Sequence, residues 1–222
     1  MKEKTKGFGR RNFIKTTTCF TTGLTGIAFF PQLNLAMDKT PEESIYIIGP
    51  KEGFSPQIGT LVSMMNLMRI VVLRSATNMT KEDLDYLHDL KANTIGAMLL
   101  HLAAVEYSYQ QNTFEGRNFQ FDDNEKAKWG AALNLGDEGR KIIKGNDLDY
   151  YLNILKETRE KTIAEFKKRD DEWLMKVDPH GFANQPTNNY CKWFHVCEHE
   201  SNHNGQIKWI KSRLPGAKAG ND

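Results

Sequence analysis

Three histidines near the C-terminus, His195, His199 and His203, follow one another at intervals of four residues. On an α-helix, side chains four residues apart share a face and lie about 6 Å apart along the axis. Two imidazoles at this spacing can bind one metal ion, with bonds of roughly 2.0–2.1 Å in the case of zinc. The outer two would be about 12 Å apart, so one ion is expected to take either the 195/199 pair or the 199/203 pair.

A third ligand has to come from another part of the chain, because catalytic zinc-type sites use three protein ligands and leave one position open. His101 is the strongest candidate. It lies within GAMLLHLAAV (residues 96–105), where all the other side chains are apolar or absent, and a buried imidazole without a polar partner costs free energy. His88 stands among aspartates and is expected at the surface, while His180 is expected in a solvated turn.

The segment HESNH (residues 199–203) also matches the H-E-x-x-H pattern of zinc proteases. Those enzymes usually take their third ligand from further downstream, but only 19 residues follow His203 and Asp222 is their sole acidic one. A di-iron carboxylate bundle would need two Glu-x-x-His pairs, and His101 is preceded at that spacing by Met98. Both alternatives are therefore disfavoured.

Glu198 and Glu200 are the carboxylates nearest the histidine pair. On a helix they would point about 100° to either side of His199, so either could lie beside the ligands and neither is identified as a general base. No catalytic residue is assigned from the sequence.

Four long apolar-periodic segments are expected to position these histidines as an all-α four-helix bundle. A polar crossover, residues 110–146, separates the second from the third and contains short helices near 125–133 and 138–143. A short helix at 80–90 is expected to begin with Thr80 and Asp83 as a capping box, and SIYII (44–48) is the one strand-like run. The long helices are expected at residues 55–77, 94–109, 148–177 and 188–213, with a loop at 178–186.

The first 36 residues are interpreted as a targeting segment. They hold six basic residues and one acidic residue, a net charge of +5, whereas the whole chain has a net charge of +2. The rest of the chain therefore has a net charge of −3, and such a slightly acidic body does not suggest binding to nucleic acid. GRRNFIK, followed by a short apolar run, resembles a twin-arginine (Tat) signal in which Arg10 and Arg11 are recognised. The run is too short and polar for a stable membrane anchor, so a periplasmic or otherwise exported protein is expected.

The expected organisation of the chain is a signal peptide (1–36), an extended arm (37–54), the bundle (55–215) and a flexible tail (216–222). Cys191 and Cys197 lie six residues apart on the last helix, about 240° around its axis, and cannot form a disulfide with each other. No disulfide framework is therefore expected, although an exported protein could use one.

The stretches NTIGAMLLHLAAVEYSY (93–109) and WFHVCEHESNHNGQI (193–207) together resemble the DinB-like superfamily of four-helix-bundle metalloproteins. The resemblance covers about residues 45–215. It implies a metal site formed by His101, His199 and His203, followed by the family's Gly-Gln at residues 205–206, and it leaves His195 as a core or neighbouring group. Asn204 stands where arginine is common in that family, so no role of that arginine is transferred.

The resemblance implies one divalent transition metal, zinc, nickel, manganese or iron, and a small-molecule substrate. We expect an exported metal-dependent enzyme of hydrolase type, because low-molecular-weight thiols belong to reducing compartments. A thiol S-transferase and a non-catalytic metal- or small-molecule-binding bundle are the alternatives. The expected partners are the substrate and the Tat export machinery, and a homodimer is left open.

Overall fold

Four long α-helices form the body of residues 44–218, which is the part of the chain that the computed structural model describes. The expected signal peptide, the start of the arm and the last four residues lie outside the described residues. The predicted all-α bundle is confirmed. Its long helices are α1 (Pro56–Ala76), α3 (Ile95–Thr113), α7 (Leu148–Phe166) and α9 (Asn189–Lys211).

The four helices close into a ring in which α1 packs on α9, α9 on α3, α3 on α7, and α7 on α1. Short elements flank this ring. Helix α2 (Lys81–Asp85) follows α1. The crossover between α3 and α7 contains, in chain order, α4 (Asp123–Glu125), a π-helical turn (Lys126–Gly130), α5 (Ala131–Asn134) and α6 (Gly136–Ile142). The predicted crossover with short helices is thus confirmed.

Ionic and aromatic contacts fasten the crossover to α3. Arg117 donates to both carboxylate oxygens of Glu125 at 2.7 Å, and the hydroxyl of Tyr107, on α3, donates to Glu125 at 2.8 Å. Trp129, which is buried, stacks on Tyr107 with a ring-centroid distance of 5.2 Å. These contacts hold the first part of the crossover on α3, and α5, which follows, also packs on α3.

The predicted helix 148–177 is wrong in its second half. Helix α7 ends at Phe166, and a separate short helix, α8 (Asp171–Met175), follows. The side chain of Asp170 accepts a hydrogen bond from the backbone N–H of Trp173, so Asp170 caps a new helix instead of continuing the old one. The apolar spacing of the sequence runs through both helices, which is why it indicated a single one.

Asp171 also caps α1. Ser55 is the residue before the helix but makes no side-chain cap. Instead Asp171 accepts hydrogen bonds from the backbone N–H groups of Gln57 and Ile58 and from the Ser55 hydroxyl. The carboxylate from α8 therefore satisfies the otherwise unpaired donors at the start of α1.

Three shorter segments differ in detail from the expectations. The Thr80–Asp83 capping box is present, but α2 ends at Asp85 and not near residue 90. Residues 44–48 form a turn, with the N–H of Ile47 donating to the carbonyl of Ser44, and no strand. The predicted loop before α9 is bracketed by a two-residue antiparallel ladder, β1 (Val177–Asp178) with β2 (Thr187–Asn188).

The apolar core consists of two clusters stacked along the bundle. One is built around Leu99, Tyr151 and Ile207, and the other around Met65, Phe166 and Trp193. Each long helix contributes to both clusters and carries a buried charged residue near the boundary between them. The site lies at the level of these charges.

Among the described helices, α1 is the one whose length and composition would allow it to cross a membrane. In the structure, 44% of its most apolar window is buried inside the bundle. The core helix of a helical bundle meets the same criteria of length and composition.

Candidate metal centre

His101, His199 and His203 come together between α3 and α9. Their ligand nitrogens all lie within 4.8 Å of one another, and the Nε2 atoms of His101 and His199 are 2.9 Å apart. The three ring centroids are separated by 4.5–4.9 Å. His101 and His203 are each only 9% exposed. The structure thus brings together the three histidines that the sequence nominated as ligands.

Backbone and side-chain acceptors orient two of the rings. The Nδ1–H of His101 donates to the carbonyl oxygen of Ala132 at 2.8 Å, and the Nδ1–H of His203 donates to Oε1 of Gln206 at 2.9 Å. A carbonyl oxygen can only accept, so Nδ1 of each ring carries the proton and Nε2 keeps its lone pair. This arrangement is typical of metal-binding histidines, whose second nitrogen is held by a hydrogen-bond acceptor.

Burial keeps the rings neutral. Desolvation lowers the pKa of His101 to about 4 and that of His199 to about 3, and the neighbouring imidazoles add to the effect. Desolvation also lowers the pKa of His203. The three rings are therefore uncharged at neutral pH, which is the protonation state that metal binding requires.

The donor set fits a divalent transition metal. Two ligands at about 2.0–2.1 Å from one ion are separated by roughly 2.9 Å when they lie 90° apart and by roughly 3.3 Å in a tetrahedron. The 2.9 Å between Nε2 of His101 and Nε2 of His199 matches the first value. Three neutral imidazoles suit zinc, nickel or iron, and the set lacks the carboxylate or thiolate that would select more narrowly.

The other three histidines lie outside this cluster. His195 is one turn before His199, with ring centroids 5.2 Å apart, and its Nδ1 donates to Glu198 at 2.9 Å. His180 is exposed and bonds to Asn184 in its loop. His88 was expected at the surface but is only partly exposed, because its ring packs edge-on against Trp209 at 4.7 Å.

Glu200 faces away from the histidines, into a buried ionic layer. Its Oε1 accepts hydrogen bonds from Arg69 at 2.6 and 2.9 Å and from Arg159 at 2.8 Å. Glu106 completes the layer by accepting from both arginines at 2.7–3.1 Å. The four side chains come from α1, α3, α7 and α9 and carry no net charge. The glutamate of the protease-like pattern is therefore a counter-ion of two arginines.

The charges of this layer are stabilised by one another. Burial alone would raise the pKa of Glu106, but Arg159 and Arg69 outweigh that effect and hold it below its ordinary value. Burial opposes the charged form of Arg159, and Glu106 and Glu200 raise its pKa well above the ordinary value. The hydroxyl of Thr162 adds a 2.7 Å hydrogen bond to Glu106. Oε2 of Glu200 is buried without a hydrogen-bond partner.

Sequence reasoning missed this layer and the carbonyl that holds His101. Arg69 and Glu106 each interrupt an otherwise apolar stretch of a long helix, and that interruption was the available signal. Asn204, which departs from the family pattern, accepts a 2.6 Å hydrogen bond from the hydroxyl of Ser75. Cys191 and Cys197 are both free, as expected, and burial raises the pKa of Cys197 to about 12. Cys197 is thus not a thiolate nucleophile.

A comparison with protein families gives a match over most of the chain. The model of the mycothiol-S-transferase family matches residues 60–216, which are 157 of the 222 residues. The matched region begins within α1, ends just beyond α9 and includes all three clustered histidines. No curated protein matches the chain.

Proposed function

The chain belongs to the mycothiol-S-transferase family, a DinB-like family, and from this membership together with the three-histidine cluster we propose that it is a metal-dependent thiol S-transferase. The proposed substrates are a low-molecular-weight thiol and a carbon electrophile that bears a leaving group. The convergence of three neutral imidazoles on one point is the observation that carries the proposal. The family match favours thiol transfer over the hydrolase-type chemistry expected from the sequence.

The proposed reaction is R–SH + R′–X → R–S–R′ + H–X. The S–H and C–X bonds break, the S–C bond forms, and the thiol proton leaves with the leaving group, so no oxidant or reductant is needed. A divalent ion at this site would supply a Lewis-acidic position that lowers the pKa of a bound thiol. His101, His199 and His203 would hold that ion, and Ala132 and Gln206 fix the orientation of two of the rings.

The ion pairs made by the nearby carboxylates also support thiol transfer over hydrolysis. Metal-assisted hydrolysis in proteins with the H-E-x-x-H pattern uses the glutamate as general base. Here Glu200 is committed to Arg69 and Arg159, and Glu198 is half-exposed and paired with His195. In the described part of the chain no carboxylate belongs to the histidine cluster. A thiolate nucleophile needs no such base once its proton has been lost.

The test is thioether formation from a small thiol and a chromogenic aryl halide with zinc-, nickel- or manganese-loaded protein. We expect turnover above the uncatalysed rate that is lost in His199→Ala and after chelation, and kept in His180→Ala, a matched change at an exposed histidine. Retention of the full rate in His199→Ala or in the metal-free protein would exclude the proposal. Hydrolysis of an activated ester without thiol would instead support the hydrolase alternative.

We also propose that the protein is exported by the Tat route, on the basis of Arg10 and Arg11. Because low-molecular-weight thiols belong to reducing compartments, an exported enzyme would depend on a thiol that reaches it outside the cytoplasm. Export of the folded chain would deliver it with its metal bound. In the double variant Arg10→Lys/Arg11→Lys, we expect the protein to remain inside the cell, as shown by cell fractionation. Unchanged secretion of this variant would contradict Tat export and would leave the proposed chemistry untouched.

A further inference from the structure

The outer face of α9 carries a continuous stripe of exposed side chains. The stripe consists of Phe194, Glu198, Asn202 and Trp209, and all four are exposed. Their spacings of four, four and seven residues keep them on one face of the helix and are typical of the seam between two packed helices. From residue 194 to residue 209 the stripe is about 22 Å long. It is therefore long enough to form one side of a contact between two helices.

A groove runs along each side of the stripe. Phe194 borders a cavity of about 490 Å³ between α9 and α1, whose walls include Met64 and Ile48. Trp209 borders a cavity of about 540 Å³ on the other side of α9, toward the segment that leads into α3. Asn202 lines both cavities. The stripe is thus a ridge between two grooves, with an aromatic side chain at each end and a carboxamide in the middle.

The surface around the ridge exposes several large apolar side chains. Phe194 is 49% exposed and Trp209 is 46% exposed. Beside the first groove, Ile48 and its chain neighbour Ile47 are 44% and 47% exposed. Since one aromatic side chain has roughly 150–250 Å² of surface, these four side chains expose a few hundred Å². That is a substantial part of the roughly 800 Å² that each partner buries in a standard interface.

Opposite charges stand on the two sides of Asn202. Glu198 precedes it by four residues and Lys208 follows it by six, which corresponds to about 6 Å and 9 Å along the helix. The carboxylate of Glu198 is half-exposed and uses Oε2 for His195, which leaves Oε1. Lys208 makes no ion pair with any described residue. Two antiparallel copies of α9 centred on Asn202 would therefore bring Glu198 of each copy level with Lys208 of the other, whereas a parallel pair would oppose like charges.

We propose that two copies of this chain form a homodimer through this stripe, with α9 antiparallel to α9 and a two-fold axis close to Asn202. In such a contact the same surface of both copies is used. Phe194 and Trp209 lie about 12 Å and 10 Å from Asn202 in opposite directions, so each Phe194 meets the groove that Trp209 borders on the other copy. One aromatic side chain and one charge on each side of Asn202 make the stripe complementary to itself, which favours a second copy over an unrelated partner.

Sedimentation equilibrium of the purified protein tests the association. We expect a species of twice the mass of one chain. Phe194→Ser should weaken the dimer by about thirtyfold, as is typical when a well-packed aromatic side chain is removed from an interface. Tyr150→Ser is the matched control, since it removes a similarly exposed aromatic side chain (42%) from α7, and it should leave the dissociation constant unchanged. A wild-type protein that stays monomeric, or a Phe194→Ser variant that dimerises as tightly as the wild type, would overturn the proposal.

Two further experiments locate the axis and the charge pairs. In a Cys191→Ser background, Asn202→Cys should form disulfide-linked dimers on mild oxidation, because a disulfide requires Cα atoms within about 7 Å. Lys156→Cys, on the exposed side of α7, should not form them in the same background. Glu198→Lys should weaken the dimer through like-charge repulsion, and Glu198→Lys/Lys208→Glu should restore it. Absence of the link in Asn202→Cys, or no recovery in the double variant, would place any dimer on another surface and refute the proposed interface.

Discussion

Replacing Glu200 by glutamine removes one of the two negative charges of the buried ionic layer and tests what this residue does. Its Oε1 accepts three N–H groups from Arg69 and Arg159. Glutamine keeps an acceptor oxygen but not the charge, so two buried guanidinium groups would share Glu106 alone. Removing one partner of a buried ion pair costs about 3–5 kcal/mol. Because an acceptor remains, we expect the lower value, about 3 kcal/mol in the free energy of unfolding.

This loss is measurable by thermal and urea unfolding of the metal-free protein, followed by circular dichroism. About 1 kcal/mol shifts the Tm of a chain of this size by roughly 2–4 °C, so Glu200→Gln should lower Tm by roughly 6–12 °C. The matched control is Glu198→Gln, the half-exposed carboxylate two residues away. Its effect should stay within about 0.5 kcal/mol, as for most surface substitutions.

A Glu200→Gln protein that unfolds at the wild-type temperature yet has lost its activity would refute this reasoning, because Glu200 would then be a catalytic base. If the variant is too unstable to purify, Arg159→Met/Glu200→Met removes opposite charges together and leaves the Arg69–Glu106 pair intact. Apolar replacement of a buried ion pair is often close to neutral, so most of the stability should return. A stable, metal-binding double variant without activity would also indicate a catalytic role.

Further predictions concern the pH dependence of metal binding and stability, and the effect of two glycine-to-alanine substitutions. Because burial lowers the pKa of His101 to about 4, of His199 to about 3 and of His203 below its ordinary value, the metal Kd measured by competition with a chromogenic chelator should not weaken until the pH falls below the ordinary histidine range. Weakening that begins near pH 6.5 would contradict this. In the metal-free protein, the unfolded chain binds more protons than the folded chain between pH 6.5 and about 4. The free energy of unfolding should therefore fall as the pH is lowered through this window, by at most about 1.4 kcal/mol per pH unit for each histidine. Gly96→Ala should destabilise by about 1–3 kcal/mol in urea unfolding, because the new Cβ would lie 2.7 Å from the hydroxyl of buried Tyr151. Gly205→Ala, in open space on α9, should stabilise the protein by about 0.5–1 kcal/mol. If both glycine variants changed the free energy of unfolding in the same direction, the packing around each Cβ would not explain their effects.

The candidate histidines on α9 could be predicted from the sequence because their spacing is local, while the choice of the 199/203 pair over the 195/199 pair came from the resemblance to the DinB-like superfamily. The spacing of His199 and His203 fixes their common face as soon as the segment is helical. An imidazole at position 101, within an apolar helix, needs a polar partner wherever that helix packs. The bundle followed from apolar periodicity in the same way. These inferences require only that the buried faces of the helices pack against each other, and not which helices are neighbours.

The ionic layer could not be predicted because its pairings are not local. Glu200 meets Arg69 across 131 residues of sequence and Arg159 across 41. Arg159 lies in KETREK, which resembles a solvated helical face. The break after α7 was missed for the opposite reason, since Asp170 begins α8 through a local cap that the apolar spacing conceals. Charged residues inside helices are ambiguous until their partners are known.

The histidine cluster and the ionic layer both require the same register of α9. His199 and Glu200 are consecutive and point about 100° apart, one toward His101 and the other toward Arg69 and Arg159. A shift of α9 by one residue would rotate both faces by that angle and separate the histidines as well as the charges. An apolar residue at position 200 would tolerate such a shift, whereas a carboxylate between two buried guanidinium groups does not. We therefore infer that the glutamate of the H-E-x-x-H pattern supports the histidine cluster indirectly, by fixing the helix that carries two of the three histidines.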